Sequence, residues 1–478
     1  MRKLVSMYTP RYVVAIVYML QSTEYEVRPY LAWLRRVQDF TKVMYRRELH
    51  KTRPAMLLLV GLSLGMSLQV VLGVALIWVG YDSDRVVLTV IGTLAVATYP
   101  FVWAYGVVIL LVIGRALVIN PKQKRRIARS GRIFADHKGR KIAVAGSYGK
   151  TSMKELLVTV LSEGKHVAAT PANKNVALSH AQFAEKLTGD EDIVILEYGE
   201  GRPGDVGHFA EVTKPNEAII TGIAPAHLDH YPSLEAAATD IFSVSTYVGD
   251  EHTYVNANSE GVASFLKSGM HAYSEKGALG WNVSAVEISI HGTSFRMHKG
   301  SQELVIESHL LGRHHVGPLA FVAAYANKQG LTKEQIEAGT KKTKPFEHRM
   351  EARNLHGAWL LDDTYNGNID GMKAGLALLE ELPAKRKIYV TPGLVDQGIE
   401  TARVHSELGQ AIARTKPDLV VLMDNSATTQ IQQGLEHAGY EGKVQIEDRP
   451  LEFYNNLEHF VAAGDVIMLQ NDWTDNYN

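Results

Sequence analysis

A glycine-rich segment carries the clearest chemistry in this chain, because Ala143 to Glu155 reads AVAGSYGKTSMKE. Apolar residues before it predict a strand over 141–145, and the apolar spacing after Lys154 predicts a helix. The backbone N–H groups of such a turn, together with the helix dipole, favour phosphate oxygens. Lys150 can reach the terminal phosphates of a nucleotide, and the Thr151 hydroxyl suits a Mg²⁺ ion. The predicted nucleotide-binding residues here are Gly146, Ser147, Gly149, Lys150, Thr151 and Ser152.

This turn is a shortened variant of the usual phosphate loop. The full phosphate-loop motif has a first glycine five residues before its second glycine. The second glycine is Gly149 in this chain, and Val144 stands at the position of the first. The alternative interpretation is that Gly-Lys-Thr only caps a helix. The flanking strand and helix favour the phosphate loop.

Composition limits the classes of protein that fit. At 478 residues the chain should hold about three domains. Lys and Arg number 50 against 51 Asp and Glu, so the net charge of -1 gives no argument for a nucleic-acid partner. The chain has no cysteine, which excludes disulfides and thiolate metal sites and suits a reducing compartment.

Two long apolar segments precede the turn, at residues 55–80, where Gln69 is the only strongly polar interruption, and 86–113, which has no charge. Each exceeds the roughly 20 residues that span a bilayer. Basic residues crowd their far ends, so residues 55–116 are predicted to form a transmembrane hairpin in the cytoplasmic membrane, with both ends in the cytoplasm. The alternative is two buried core helices of a soluble protein. Pro100 should kink the second helix, and candidate interface anchors are Trp78, Tyr81, Tyr99 and Trp103.

The segments around this hairpin are basic. Residues 11–20 are too short to cross a bilayer and are predicted to form a buried or interfacial helix. Residues 29–53, within a juxtamembrane region over 1–54, mix apolar and basic side chains and should lie on an anionic membrane face, or else pack on a soluble domain. Residues 117–138 are predicted to be a basic linker, which places the phosphate loop on the cytosolic side.

Residues 139–344 alternate strands and helices, which predicts a doubly wound, largely parallel α/β domain. Polar residues follow three of its strands: the segment 170–175, Glu197 at the end of IVILE, and His227 in AHLD. A glutamate at the end of a buried strand is costly unless Mg²⁺ or a basic partner balances it. Histidine is an unusual Mg²⁺ ligand, so His227 alone is more typical of a loop histidine.

Residues 345–478 predict a second, Rossmann-like α/β domain without the dinucleotide glycine fingerprint. Its two polar motifs are HRME, which begins at His348, and DDTYNGN, which begins at Asp362. Taken alone, the second motif is as consistent with a helix N-terminal turn as with a binding site.

The ordered set GSYGKTS, TPANKN, LEYGEGRPGD and KPNEAIITGIAPAHLDHYPS resembles the Mur ligase family, the ATP-dependent amide ligases of peptidoglycan synthesis. The resemblance covers about residues 139–478 and is greatest to the branch that adds D-alanyl-D-alanine to a muramoyl tripeptide. It implies ATP on the loop and Mg²⁺ held by Thr151, Glu197 and His227. It also implies substrate contacts at Asn173, Asn175 and Tyr365, Arg349 at the γ-phosphate, Asp363 at the ribose, and Asn366 in the cleft. The implied catalytic residues are Lys150, Glu197, His227 and Arg349.

The chain departs from that family in three places. Residues 1–138 replace the domain that holds the uridine nucleotide of the substrate. Many members carry a carbamylated lysine after the histidine loop, but this chain has no lysine between Lys214 and Lys267. Asp240 could supply that carboxylate to the metal, or it could be a helix-surface residue. The family's His-Asn-Val segment reads His314-His315-Val316, which leaves the choice of nucleotide open.

Two functions follow from these observations. The first is a membrane-anchored ligase that forms an acyl phosphate and then an amide, with a muramoyl peptide as acceptor, soluble or lipid-linked, and an amino acid or dipeptide as amine donor. The second is a non-ligating ATP-binding subunit that anchors or activates a protein partner such as a glutamine amidotransferase. A transporter ATPase is excluded, because two spans without charge offer no substrate path.

Overall fold

The computed structural model describes residues 2–23, 25–43, 49–172, 174–224, 231–365, 367–394, 397 and 400–471. The chain separates into two compact units, Met1–Arg125 and Arg126–Asn478. Three of the predicted site residues, Asn173, His227 and Asn366, lie outside the described residues.

The first unit is helical. Its α-helices are α1 (Arg2–Met7), α2 (Arg11–Ser22), α3 (Val27–Arg36), α4 (Arg53–Asp82), α5 (Val86–Gly114) and the beginning of α6 (Asn120–Asp136), with a 3₁₀ turn at Phe40–Lys42 and a π-helical turn at Arg115–Ile119. Within the described residues of the predicted basic stretch 29–53, α-helix covers the first part, to the end of α3 at Arg36, and α4 begins at Arg53. The predicted linker 117–138 is mostly helix α6, because its sequence contains no glycine or proline between Pro121 and Gly131.

Helices α4 and α5 form a tightly packed hairpin. A Cβ atom on Gly92 would lie 2.4 Å from the carbonyl oxygen of Gly73, so this approach requires glycine. Gln69 donates to the carbonyl oxygen of Ala95 (3.1 Å) and accepts from the indole N–H of Trp103 (2.8 Å). The strongly polar side chain within the apolar segment is thus satisfied inside the hairpin. The indole N–H of Trp103, proposed above as an interface anchor, is used within the hairpin.

By length and composition, the helix Arg53–Asp82 and the continuous helical stretch Val86–Asp136 could each cross a membrane. The most apolar 18-residue stretch of each helix has a mean hydropathy of 2.2 and 2.3, respectively. Only 17% and 12% of these two stretches are buried. Core helices of a soluble protein would be mostly buried, and these two are not. Trp78 and Tyr81, near the turn, are exposed.

The second unit contains a mixed ten-stranded sheet. Its strands are β1 (Arg140–Ala145), β2 (Val167–Ala169), β3 (Ile193–Glu197), β4 (Glu217–Ile220), β5 (Thr253–Asn256), β6 (His271–Ser274), β7 (Gly277–Ala278), β8 (Trp281–Ser289), β9 (Gly292–Lys299) and β10 (Gln302–Ser308). The order is β10-β9-β8-β7-β6-β5-β4-β1-β3-β2. The strands from β2 to β6 pair in parallel, as predicted, whereas β6 to β10 are antiparallel neighbours that the sequence analysis did not find.

Helices cover both faces of the parallel part of this sheet. They are α7 (Lys150–Leu161), α8 (Ala177–Ala184), α9 (Asp205–Thr213), α10 (Leu234–Val248), α11 (Val316–Lys328) and α12 (Lys333–Lys341). Alternate residues of β1 enter two separate cores: Ile142 and Val144 pack with α7 and α11, and Ala143 and Ala145 pack on the opposite face. Because β1 is buried on both faces, its carboxyl end is held rigidly beneath the glycine-rich turn.

The C-terminal part of the second unit has a six-stranded sheet. Its elements are β11 (Glu351–Leu355), β12 (Ala358–Asp363), α13 (Ile369–Glu381), β13 (Arg386–Thr391), α14 (Thr401–Thr415), β14 (Leu419–Met423), α15 (Thr428–His437), β15 (Lys443–Glu447), α16 (Pro450–Asn455), α17 (Leu457–Phe460) and β16 (Asp465–Gln470). The order is β11-β12-β16-β13-β14-β15, and only β11 pairs antiparallel. The apolar runs 358–361, 387–391, 418–423 and 465–469 predict four strands, which the structure has as β12, β13, β14 and β16, and the two edge strands β11 and β15 are additions.

Candidate active site

The glycine-rich turn lies between β1 and α7 and is pinned to the loop after β4. Gly146 (φ 145°) and Gly149 (φ 73°) have backbone conformations that disfavour other residues. A Cβ on Gly146 would meet the Thr221 hydroxyl at 2.3 Å. The Ser147 N–H donates to the carbonyl oxygen of Gly222 (2.8 Å) and the Thr221 hydroxyl donates to that of Tyr148. The turn is thus preformed above the sheet, as a phosphate cradle requires.

Lys150, the first residue of α7, curls back over this turn. Its Nζ donates to the carbonyl oxygen of Gly146 (2.5 Å) and to Glu200 Oε2 (2.8 Å). Phosphate oxygens arriving in the turn would lie within reach of the same ammonium group, as the sequence predicts.

Glu197, at the end of β3, is the centre of the second group of contacts. Its carboxylate oxygen Oε1 accepts from the Thr151 hydroxyl (3.1 Å) and from Asn175 Nδ2 (3.3 Å). Its other oxygen, Oε2, lies 3.2 Å from Lys154 Nζ, and both side chains are almost completely buried. Burial lowers the pKa of His180 to about 4, so His180 is neutral and its Nε2–H donates to the Glu197 carbonyl oxygen (2.8 Å). The carboxylate is therefore held firmly beside the turn.

These residues fit a Mg²⁺ ion. Within the part of the chain that the structure describes, Glu197 Oε2 is buried and accepts no hydrogen bond, its one close partner being the Lys154 ammonium, and the Thr151 hydroxyl lies against the other oxygen of the same carboxylate. No group of three His, Cys, Asp or Glu residues converges among the described residues. One carboxylate and one hydroxyl match the way Mg²⁺ binds together with nucleotide phosphates and water, rather than in an all-protein cage.

Asp240 is a buried residue of α10, so it is not the surface residue of the alternative above. Its Oδ1 accepts from the Gly204 N–H (2.9 Å) and its Oδ2 from the Tyr231 hydroxyl (2.7 Å). Both oxygens thus tie α10 to the loop after β3 and to the residue that follows the undescribed segment 225–230. A role for Asp240 as a metal ligand remains a prediction.

Arg349 approaches this site from the C-terminal domain. Its guanidinium lies 4.2 Å over the ring of Tyr365. Desolvation lowers the pKa of Arg349, and nearby Asp363, Tyr365 and Glu197 oppose that shift. Glu197 belongs to the central domain, so the Arg349 guanidinium of the C-terminal domain interacts electrostatically with a carboxylate of the other domain. The residues on either side, His348 (φ 61°) and Met350 (φ 50°), are left-handed, a strain found at functional sites.

Asp363 ends β12 beside Arg349. Its Oδ1 accepts from the Met350 N–H (3.2 Å) and its Oδ2 from Gln470 Nε2 (2.8 Å). Burial raises the pKa of Asp363 to about 6, although Gln470 and Arg349 oppose the change. The structure thus brings together Arg349, Asp363 and Tyr365, three residues for which the family resemblance implies roles in one cleft. Sequence reasoning assigned no role to Lys154 and Glu200, both of which contact predicted site residues.

Comparison with known proteins matches both domains. Residues 144–326 match the Mur ligase middle domain and residues 348–470 match the glutamate ligase domain of Mur ligases. A relative from Escherichia coli (strain K12), named UDP-N-acetylmuramoyl-tripeptide–D-alanyl-D-alanine ligase, is 27% identical over 293 residues, 59% of this chain and 64% of that protein. The Mycobacterium leprae (strain TN) protein of that name is 26% identical over 365 residues, 69% of this chain and 70% of that protein. The chain spans 57% to 64% of the length of the E. coli, Buchnera aphidicola and Treponema pallidum relatives.

Solved structures show the same fold. MurF from Acinetobacter baumannii aligns with a TM-score of 0.63 at 20% identity, covering 72% of this chain and 75% of that chain. MurF ligase from Thermotoga maritima, solved in complex with ADP, aligns with a TM-score of 0.62 at 19% identity and covers 73% and 80%. The two domains, each built on one sheet, therefore have the Mur ligase architecture.

Proposed function

We propose that this chain, which carries the middle and C-terminal domains of Mur ligases, is an ATP-dependent amide ligase of peptidoglycan precursor synthesis. One observation carries the proposal: Lys150, Thr151 and Glu197 meet at the carboxyl ends of β1 and β3, and Arg349 faces them from the other domain. Ligands of open α/β sheets bind at this edge. A phosphate cradle between two cationic side chains suits the transfer of a terminal phosphate.

The reaction begins with attack of a substrate carboxylate on the γ-phosphate of ATP. Lys150 and Arg349 neutralise the charge that develops on the transferred phosphate, and the turn N–H groups orient it. Bound Mg²⁺, held by Thr151 and Glu197, would offset further phosphate charge. An amine then displaces phosphate from the acyl phosphate and forms the amide.

The residues on both sides of the cleft exclude water during these two reaction steps. An acyl phosphate hydrolyses readily, so the domain with Arg349 must close over the turn before the amine attacks. The left-handed backbone at His348 and Met350 flanks Arg349 on both sides. The ring of Tyr365 holds the Arg349 guanidinium in place through the cation–π contact.

The substrates follow from the names of the relatives. We infer a muramoyl peptide as acceptor and D-alanyl-D-alanine, or a similar amino acid or dipeptide, as amine donor. Helices α4 and α5 support a membrane hairpin, because both are long, apolar and mostly exposed. The basic flanks support an orientation with the catalytic domains on the cytosolic side, and in that orientation a lipid-linked muramoyl peptide at the membrane surface is a natural acceptor.

A second candidate is a non-ligating subunit that anchors or activates a partner such as a glutamine amidotransferase. The absence of lysine from α10 favours it, because the expected carbamate has no attachment point, and both oxygens of Asp240 are engaged. A partner that co-purifies in fixed stoichiometry and is required for turnover would support this candidate.

The test is ATP turnover by the full-length protein in detergent with soluble UDP-linked and lipid-linked muramoyl tripeptides in parallel. A ligase produces an acceptor whose mass has grown by the amine less water. Preference for the lipid-linked acceptor supports the membrane role. ADP release that is independent of acceptor and amine would refute the ligase.

A further inference from the structure

Glu200 is a buried carboxylate in the loop after β3 that the reaction described above does not use. Glu200 is only 5% exposed to solvent. Oxygen Oε2 lies 2.8 Å from Lys150 Nζ. The other oxygen, Oε1, is buried and has no hydrogen-bond partner among the residues that the structure describes. A buried carboxylate oxygen without a partner is costly, which indicates a ligand that arrives during function.

The surroundings of Glu200 favour a cation as that ligand. Two buried pairs, Lys150 with Glu200 and Lys154 with Glu197, leave this edge of the sheet balanced in charge. When the Lys150 ammonium group turns to a terminal phosphate, it neutralises less of the negative charge of Glu200. The carboxylates of Asp240, Glu200 and Asp205 all act on the nearby Tyr231, so this side of the turn is acidic.

The position of Glu200 matches the path of an amine. Lys150 contacts both Glu200 and, on nucleotide binding, the terminal phosphate. After phosphate transfer, the carbonyl carbon of the acyl phosphate is one oxygen atom from that phosphorus. An amine that attacks this carbon therefore approaches the end of the cleft where Lys150 pairs with Glu200, and a general base there acts through a direct hydrogen bond or one bridging water.

We propose that Glu200 binds the ammonium group of the incoming amine donor and accepts its proton. This inference rests on the proposed ligase function. The ammonium loses one proton to the Glu200 carboxylate, and the freed nitrogen lone pair forms the C–N bond. The C–O bond to the phosphate then breaks and the phosphate leaves with that electron pair. Of the two protons left on the nitrogen, one passes to the phosphate or to water and the other stays as the amide N–H.

Two nucleophiles separate this role from a role in ATP binding. D-alanyl-D-alanine arrives with a protonated amine and needs both the anionic site and the base. Hydroxylamine is uncharged at neutral pH, so it traps the acyl phosphate as a hydroxamate without either. The test compares E200Q with the wild type, both full length, using ATP and, in parallel, UDP-linked and lipid-linked muramoyl tripeptide with each nucleophile. The matched control is E235Q, since Glu235 is an exposed carboxylate of α10.

We expect E200Q to lose ligation of D-alanyl-D-alanine by about 100-fold or more, the usual contribution of a general base. Hydroxamate formation should stay within about threefold of the wild type, and E235Q should resemble the wild type with both nucleophiles. An equal fall of both products in E200Q would overturn the inference, because Glu200 would then act on the nucleotide. Unchanged ligation in E200Q would also overturn it.

The same experiment separates this inference from the proposed function. If the wild type forms neither hydroxamate nor amide in an ATP-dependent manner, the ligase itself is refuted. If the wild type forms both and E200Q behaves as E235Q does, the ligase stands and only the role of Glu200 is refuted.

Discussion

Replacement of Lys154 by methionine tests the charge balance beneath the phosphate turn. Lys154 is completely buried, and its ammonium group donates to the carbonyl oxygen of Ala172 and lies 3.2 Å from Glu197 Oε2. Methionine has a similar length and no charge. The variant therefore leaves the Glu197 carboxylate buried without its adjacent cation.

The expected loss is large. Removal of one partner from a buried ion pair typically costs about 3–5 kcal/mol, since the remaining charge is left desolvated. At roughly 2 °C for each kcal/mol in a domain of this size, the melting temperature should fall by about 6–10 °C. The double variant Lys154→Met with Glu197→Gln removes both charges and should recover more than half of that loss.

The melting temperatures of both variants are measured by thermal unfolding of the full-length protein in detergent, with tryptophan fluorescence as the signal. The matched control is Lys342→Met, because Lys342 also pairs with a glutamate, Glu163, but its side chain is 61% exposed. An exposed pair contributes about 0–1 kcal/mol, so this control should unfold within about 2 °C of the wild type. A Lys154→Met protein as stable as the control, or a double variant no more stable than the single one, would refute the reasoning.

Three further predictions concern the site and the helical hairpin. Lys150→Ala should reduce ATP turnover by about 100-fold or more, because the charge on the transferred phosphate loses its closest cation; the readout is ADP release, and near-normal release would contradict it. Burial raises the pKa of Asp363 to about 6, so the folded protein binds that proton more tightly than the unfolded chain and loses stability as the pH rises from about 4 to about 6. Asp363→Asn lacks this titration, so its melting temperature relative to the wild type should rise over that window and stay level above pH 7; a constant difference would contradict the assignment. The full chain should float with lipid vesicles in high salt, since apolar helices hold it, and release by salt alone would contradict a membrane hairpin.

The sequence was sufficient to bring the core of the site together. Lys150 and Thr151 are fixed by a local motif, and Glu197 ends a strand whose apolar run is unmistakable. Because parallel strands end at one edge of a sheet, these residues had to meet there. The placement of Arg349 and Tyr365 in the cleft followed only from the family resemblance, since no local pattern connects them to the phosphate turn of the other domain.

Burial explains what the sequence did not reveal. Lys154 follows Lys150 by one helical turn, and both resemble ordinary surface lysines until α7 is packed against the loop after β2. Glu200 lies in a glycine-rich loop, where a glutamate is normally solvated. The strands from β6 to β10 were missed because they are short or alternate polar and apolar residues, as half-exposed antiparallel strands do.

The most direct measurement of the central claim is the stoichiometry of ATP use against amide formation. The full-length protein is supplied with ATP, Mg²⁺, a muramoyl tripeptide and D-alanyl-D-alanine, and ADP and the extended peptide are quantified together by mass spectrometry. A ligase releases one ADP for each amide formed, and omission of either the acceptor or the amine abolishes the extended peptide. ADP release at the same rate without the acceptor, with no extended peptide, would contradict the account.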